Sequence, residues 1–154
     1  MKALLAAAGL LISGILPAAN AATSSPSPWN GSWQLSLPRS SAAAKEGAPG
    51  VYRFRLGNDG EIVWEIPELG EVVTGRTDGT PMPIRRTEAA PGLTLAVKAV
   101  GPRELTYEVA RDGRVMGGGR MMLVDDASAW VDLTWGKEGP GYGAELVYDK
   151  LDQR

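Results

Sequence analysis

Apolar side chains recur at every second position through most of the chain, which is the period of a β-strand with one buried face. The alternation is clear from Trp33 to Leu37 and from Tyr52 to Leu56, with serine, glutamine and arginine at the positions between. Turn signals such as Asn58-Asp59-Gly60 and Asp112-Gly113 separate these runs. The pattern therefore predicts an all-β domain of about eight to ten short antiparallel strands.

Two architectures bury one face of such a series of strands: a closed barrel and a two-sheet sandwich. Hairpin signals fall between neighbouring strands, and this spacing favours an up-and-down antiparallel β-barrel. Gly117-Gly118-Gly119 lies inside the strand predicted from Arg114 to Val124. Three glycines there indicate a bulge or a bend, as at a barrel corner. The sandwich remains the alternative.

The alternation also assigns the faces of the strands. The predicted inward face is apolar and uncharged, with three tyrosines as its polar members. Such a lining suits a small hydrophobic ligand with one or two polar groups, and the alternative is a barrel filled by its own bulky side chains. The residues expected to line the cavity are Tyr52, Phe54, Trp64, Ile66, Leu95, Tyr107, Val109, Met121, Leu123, Leu133 and Tyr148.

An irregular segment from Thr77 to Gly92 interrupts the alternation. Pro81 and Pro83 lack a backbone N–H and exclude a central strand at this point. Long loops at the mouth of a barrel often carry functional residues. Met82 and Ile84 are therefore candidate lid residues, and the alternative is a merely exposed connection.

Residues 1–22 do not belong to the barrel pattern. Lys2 precedes an apolar run from Ala3 to Ile15, and Ala19-Asn20-Ala21 is a small-x-small cleavage sequence. This is typical of a secretory signal peptide, and the apolar run is shorter than the ~20 residues of a membrane-spanning helix. We expect export to the periplasm or the medium, with no integral membrane segment in the mature chain. The predicted order is a cleaved signal at 1–22, a linker at 23–28, the barrel at 29–150 and a tail at 151–154.

Composition restricts the possible chemistry. The chain has no cysteine and no histidine, which excludes disulfides, thiol nucleophiles and histidine-based catalysis or metal binding. A net charge of −2 gives no attraction to nucleic acid. Asp125-Asp126 lacks the spaced oxygen ligands of a calcium loop, and Arg85-Arg86 is interpreted as a surface pair. The strand carboxylates expected to face outward are Glu61, Glu65, Glu104, Glu108, Asp132 and Glu145. We therefore predict no catalytic residue, no metal and no cofactor.

Gly31-Ser32-Trp33, at the start of the first strand, resembles the Gly-x-Trp signature of lipocalins. The start Trp-x-Gly-x-Trp-x-Leu, the hairpin around Asp112-Gly113 and the last strand from Glu145 to Lys150 look like those of the bacterial lipocalin-like family. Members of this family are small exported barrels, and the resemblance covers about residues 29–150.

The resemblance implies that Gly31 and Trp33 close one end of the barrel. It also implies that a basic side chain packs across the ring of Trp33, and both Lys150 and Arg120 are candidates for this cation–π contact.

Three functions remain open at this point. The first is an exported carrier or scavenger of a small hydrophobic molecule. The second is an isomerase, cyclase or lyase whose apolar substrate is held by tyrosines and one buried acid. The third is a packed envelope barrel that works through its surface, with Trp130 in an exposed apolar patch. An open apolar cavity would support the first, a buried acid with a shifted pKa the second, and a filled interior the third.

Overall fold

The computed structural model describes residues 25–41, 47–88, 91–136 and 143–151. Within these ranges ten strands form one antiparallel sheet. The strands are β1 (Gly31–Leu35), β2 (Val51–Leu56), β3 (Glu61–Ile66), β4 (Glu71–Arg76), β5 (Asp78–Pro83), β6 (Leu93–Gly101), β7 (Glu104–Arg111), β8 (Arg114–Val124), β9 (Ala129–Trp135) and β10 (Ala144–Lys150). Short 3-10 turns at Pro67–Leu69 and Asp125–Ala127 follow β3 and β8. The predicted signal peptide lies outside the described residues.

The first strand pairs with the last, and this pairing curls the sheet into a barrel. The order of strands is β4-β3-β2-β1-β10-β9-β8-β7-β6-β5, and Trp33 lies opposite Lys150 where β1 meets β10. The two ends of this order are β4 and β5, and an isolated bridge joins them between Val72 of β4 and Arg85, two residues after β5. The two backbone hydrogen bonds of the bridge measure 2.8 and 3.1 Å. The molecule is a nearly closed up-and-down barrel, which confirms the predicted fold class.

The seam between β4 and β5 coincides with the proline-rich segment. Pro81 and Pro83 lie on β5, which pairs with β6 on one side and is an end strand of the sheet, as expected for prolines. The prediction that Met82 and Ile84 form a lid is wrong. Both are buried in the core, with 4% and 8% of their surface exposed. The reason is that the prolines alternate with Met82, so that Met82 faces inward while the prolines are exposed.

Two tryptophans plug one end of the barrel. Trp33 and Trp29 are buried, and the indole N–H of Trp33 donates to the carbonyl of Trp29 at 3.0 Å. The Nζ of Lys150 lies 4.8 Å from the centroid of the Trp33 ring and donates to the carbonyl of Pro28 at 3.1 Å. Lys150 is therefore the basic partner of Trp33. The other candidate, Arg120, pairs with Glu104 instead.

The predicted bulge in β8 is present. The pairing of β7 with β8 passes from Val109 opposite Gly117 to Ala110 opposite Val115, so Met116 is the extra residue. Within the described ranges no helix is long and apolar enough to cross a membrane.

The predicted faces of β9 are wrong by one residue. Asp132 lies opposite Met121, both are buried, and both point into the barrel. Leu133, which was expected to line the cavity, lies opposite Arg120 on the outer face and is partly exposed. Trp130 is buried as well, so it is not part of an exposed patch.

The cause of this error is that the outer face of β9 is the more apolar one. Val131 and Leu133 point outward, and Trp130 is the apolar residue of the inner face, so alternation alone gives the wrong register. The neighbouring strands determine it. Trp130 lies opposite Leu123 of β8 and Tyr148 of β10, whose side chains point into the core.

Candidate functional site

Aromatic rings fill much of the barrel interior. The rings of Trp130 and Tyr148 are stacked with their centroids 4.2 Å apart. The ring of Tyr52, from β2 on the other side of β1, meets Tyr148 at 5.1 Å and Trp130 at 5.5 Å. Trp64 adds contacts to Tyr52 at 5.4 Å and to Tyr107 at 5.6 Å. These contacts join β2, β3 and β7 to β9 and β10 across the interior.

Most of the residues predicted to line the cavity meet in this interior. Tyr107 and Val109 are partly buried against the core, and Leu133 is the exception on the outer face. The buried members of the predicted set are Tyr52, Phe54, Trp64, Ile66, Leu95, Met121, Leu123 and Tyr148.

Asp132 lies among these rings, so the prediction of an uncharged interior is wrong. Only 2% of the surface of Asp132 is exposed. The hydroxyl of Tyr107 donates a hydrogen bond of 2.9 Å to Oδ2 of Asp132. Oδ1 is buried and has no hydrogen-bond partner among the described residues. The described lysines and arginines also form no ion pair with Asp132.

Burial is the main influence on the acidity of this group. It raises the pKa of Asp132 from 3.8 to about 7, while the hydrogen bond from Tyr107 acts in the opposite direction. Burial and then the charge of Asp132 raise the pKa of Tyr107 well above its ordinary value. Burial, followed by the charge of Asp132, also raises the pKa of Tyr148. Asp132 therefore exchanges a proton near neutral pH while the tyrosines stay protonated.

The hydroxyls of three tyrosines share this electrostatic environment. The charges of Tyr148, Tyr107 and Asp132 add to burial in raising the pKa of Tyr52. The hydroxyl of Tyr148 donates to the carbonyl of Pro49 at 3.0 Å. We call Tyr52, Tyr107, Asp132 and Tyr148 the Tyr–Asp cluster. Because Pro49 precedes β2, the cluster extends towards the end of the barrel opposite Trp33.

Glycine in β8 makes room for the Tyr–Asp cluster. A Cβ atom on Gly119 would collide with the ring of Tyr107 and would lie 2.5 Å from Oδ1 of Asp132. The backbone of β8 therefore approaches both side chains as closely as only glycine allows. The run of glycines was visible in the sequence, but this role depends on the pairing of β8 with β7 and β9.

Three buried indole N–H groups resemble Oδ1 of Asp132 in that the described residues give them no hydrogen-bond partner. The Nε1 atoms of Trp29, Trp64 and Trp130 are buried and have no hydrogen-bond partner among the described residues. Buried polar groups in native proteins almost always bind a protein group, an ordered water or a ligand. The interior therefore offers donors and one acceptor that the described chain does not use.

A second buried acid lies at the end opposite Trp33. Glu71 is buried at the start of β4, and its Oε2 accepts a 2.6 Å hydrogen bond from Nε of Arg86. Arg86 is thus engaged in an ion pair rather than free for an external anion. Within the described residues no group of three acidic side chains is arranged to hold a metal ion.

Open grooves lie outside the Tyr–Asp cluster. One of about 800 Å³ lies at the end opposite Trp33, between the β3–β4 turn, Arg86 and the β7–β8 hairpin. Another of about 660 Å³ runs along the outer face of β2 and β3, where Arg53 and Glu65 are among its walls. Asp132 borders neither groove.

Comparisons with protein-family models, with curated proteins and with solved structures found no match to this chain. The chemistry of the barrel interior is therefore the basis on which a function is assigned.

Proposed function

We propose that the barrel binds a small, largely apolar molecule in its interior, with one polar group of the molecule at the Tyr–Asp cluster. The observation that carries this proposal is Oδ1 of Asp132, a buried acceptor without a partner among the described residues. A carboxylate in an apolar core costs several kcal/mol, and well-packed apolar residues there are often as stable or more stable. A ligand group that donates to Oδ1 supplies the missing hydrogen bond.

The packing of the interior limits the size of the ligand. The rings of the Tyr–Asp cluster already touch one another, so a ligand displaces a side chain rather than filling a ready-made void. Tyr107 is the member best placed to move, because it is the one that is partly exposed, and a ligand that replaces it takes over its hydrogen bond to Asp132. The ligand enters from the end opposite Trp29 and Trp33, and a molecule of about one aromatic ring fits the space that one side chain leaves.

Export and the lipocalin-like start of the barrel agree with this function. A secreted barrel that takes up a small apolar molecule acts as a carrier or a scavenger, and Gly31 and Trp33 have the closing role in it. Both the export and the family membership are part of the proposal.

A second function is favoured by the acidity of Asp132. A carboxyl group with a pKa of about 7 is suited to take a proton from a bound substrate and return it at neutral pH. An isomerase or lyase acting on an apolar substrate would use Asp132 in this way. Conversion of a retained molecule by the wild-type protein but not by Asp132→Asn would distinguish the enzyme from the carrier.

Native mass spectrometry of protein purified from its own host tests the proposed function. We expect a small molecule that is retained in the native state and released on denaturation, and we expect Asp132→Asn to retain less of it. Glu108→Gln is the matched control, because Glu108 lies exposed on β7 next to Tyr107. If no molecule is retained and hydrophobic probes leave the tryptophan fluorescence unchanged, the interior does not bind ligands and the barrel is a packed structural protein.

A further inference from the structure

We propose that the molecule held at Asp132 is a small amine, bound as its ammonium ion between the carboxylate and the faces of the surrounding rings. This inference rests on the proposed function, because it names the class of ligand for the same site. It goes further in that it fixes the charge of the polar group.

The charges in the interior favour a cationic ligand at Asp132. The other buried acid among the described residues, Glu71, is paired with Arg86. Lys150 is engaged at the plugged end, over the ring of Trp33. Asp132 has no such counter-ion among the described residues, and Tyr107 gives it one neutral hydrogen bond. A buried carboxylate favours a cation as its partner, since a cation compensates the charge while the carboxyl stays ionised.

The aromatic rings around Asp132 also favour a cationic ligand. Trp130 lies two residues before Asp132 on the same face of β9, and Tyr148 is stacked on it. Trp64 contacts the ring of Tyr107 at 5.6 Å, so it borders the space that Tyr107 leaves when it moves. The faces of aromatic rings attract cations, and aromatic cages are a common way to recognise ammonium groups. A carboxylate beside several rings thus presents both of the features that bind an ammonium ion.

The same arrangement discriminates against other polar groups. A ligand carboxylate would place a second negative charge beside Asp132 in a medium that screens charge poorly. A hydroxyl group donates one hydrogen bond to Oδ1 but gains neither the ionic attraction nor the cation–π contact. The N–H groups of Trp64 and Trp130, which have no partner among the described residues, instead favour a ligand with a hydrogen-bond acceptor, such as an alcohol or a carboxylate. The alcohol and the carboxylate therefore belong in the test.

Binding of an amine is coupled to the proton on Asp132. The groups that face this carboxyl are Tyr107, Tyr148 and Tyr52, which stay protonated, while Glu71 acts on Tyr52 from the β4 side. Because the ammonium ion binds the ionised form of Asp132, whose pKa is about 7, affinity falls about tenfold for each pH unit by which the pH drops below 7. It levels off above pH 7 and falls near pH 10, where amines lose their charge (about as lysine does).

Isothermal titration calorimetry with three ligands of one size tests the inference: 2-phenylethylamine, 2-phenylethanol and phenylacetate. At pH 7.5 we expect the amine to bind at least tenfold more tightly than the alcohol, and phenylacetate to bind most weakly. Asp132→Asn should abolish the preference for the amine, whereas Glu108→Gln should keep it. Asp132→Asn is expected to fold, because it removes a buried charge and retains an acceptor for the Tyr107 hydroxyl.

Each other result overturns a defined part of the account. Equal binding of the three ligands, or tightest binding of phenylacetate, would contradict the amine and leave interior binding in place. A preference for the amine that survives in Asp132→Asn would place the ammonium site elsewhere. If none of the three binds but protein from its host retains another molecule, the amine is wrong and the proposed function stands. If none binds and nothing is retained, both are wrong.

Discussion

At the scale of single residues, Asp132 is the side chain whose surroundings differ most from those its type usually has. Aspartate is almost never fully buried without a partner. Here one carboxylate oxygen is bonded to Tyr107, and the other is buried without a partner among the described residues. Burial therefore makes the protonated form the more stable one in the folded protein below about pH 7.

This residue makes the stability of the protein depend on pH. In the unfolded chain the carboxyl loses its proton near pH 4, whereas in the folded protein its pKa is about 7. Between these values the folded state binds more protons, so the free energy of unfolding falls as pH rises. A pKa raised from 3.8 to about 7 corresponds to about 4 kcal/mol, which is lost by pH 8.

Urea unfolding of the wild type and Asp132→Asn from pH 3 to pH 8 measures this loss. The two proteins should differ little near pH 3, and Asp132→Asn should become more stable by a few kcal/mol above pH 7. Other titrating groups are common to both proteins and cancel in the difference. A difference that does not change with pH would mean that Asp132 is solvated in the folded state.

At the scale of strands, β8 determines whether Tyr107 and Asp132 meet. We expect Gly119→Ala to destabilise the fold by about 1 to 3 kcal/mol, because the added methyl group displaces the Tyr107 ring and crowds Oδ1 of Asp132. Gly101→Ala is the matched control, since a Cβ at Gly101 has no neighbour within 4 Å. Urea unfolding gives both values, and the near-ultraviolet circular dichroism reports the displaced tyrosine. Equal stability of the two variants would show that β8 does not approach the cluster this closely.

The seam between β4 and β5 is the weakest part of the closure. The isolated bridge between Val72 and Arg85 joins these strands, whereas β7 and β8 each pair along their length on both sides. Opening of the seam breaks few backbone hydrogen bonds, so we expect amides of β4 and β5 to exchange at least about tenfold faster than those of β7 and β8. Hydrogen exchange followed by mass spectrometry measures this, and uniform protection around the sheet would contradict it.

The strands differ in how much of their structure the sequence predicts. In β2 the arginines Arg53 and Arg55 alternate with apolar residues, so one face is clearly polar and the prediction is correct. In β9 the outer face is the more apolar one, and the register depends on partners that are distant in sequence. In β5 the prolines concealed a strand, because they sit on the exposed face and Met82 on the buried one.

The sequence predicted the aromatic residues of the candidate site but not its buried acid, Asp132. The tyrosines and Trp64 follow from alternation, and the structure brings them together. Asp132 was placed outward because its neighbours Val131 and Leu133 were assigned to the inner face and because a charged residue is normally exposed. Trp130, two residues earlier on the same face, is the one signal for burial of Asp132. It is weak, since Glu65 also follows an apolar residue, Val63, at this spacing and is only partly buried.

At the scale of the whole molecule, the Tyr–Asp cluster extends away from the plugged end of the barrel. One end is plugged by Trp29 and Trp33 and is held by Lys150. The polar groups without partners extend from there into a core of rings, and the Tyr–Asp cluster reaches towards the opposite end. A buried carboxyl group is often less stabilising than an apolar residue at the same position. We propose that ligand binding is what this loss of stability serves.

The central claim is that Asp132 is buried among the rings of the barrel interior. Carbon-13 NMR of its side-chain carboxyl group, titrated from pH 3 to pH 9, tests this claim most directly. The signal is assigned by its absence from Asp132→Asn. We expect a titration midpoint of about 7, because the carboxyl is buried among the rings of the closed barrel. A midpoint near the ordinary value of about 4 would show that Asp132 faces solvent, and the account of the interior would be wrong.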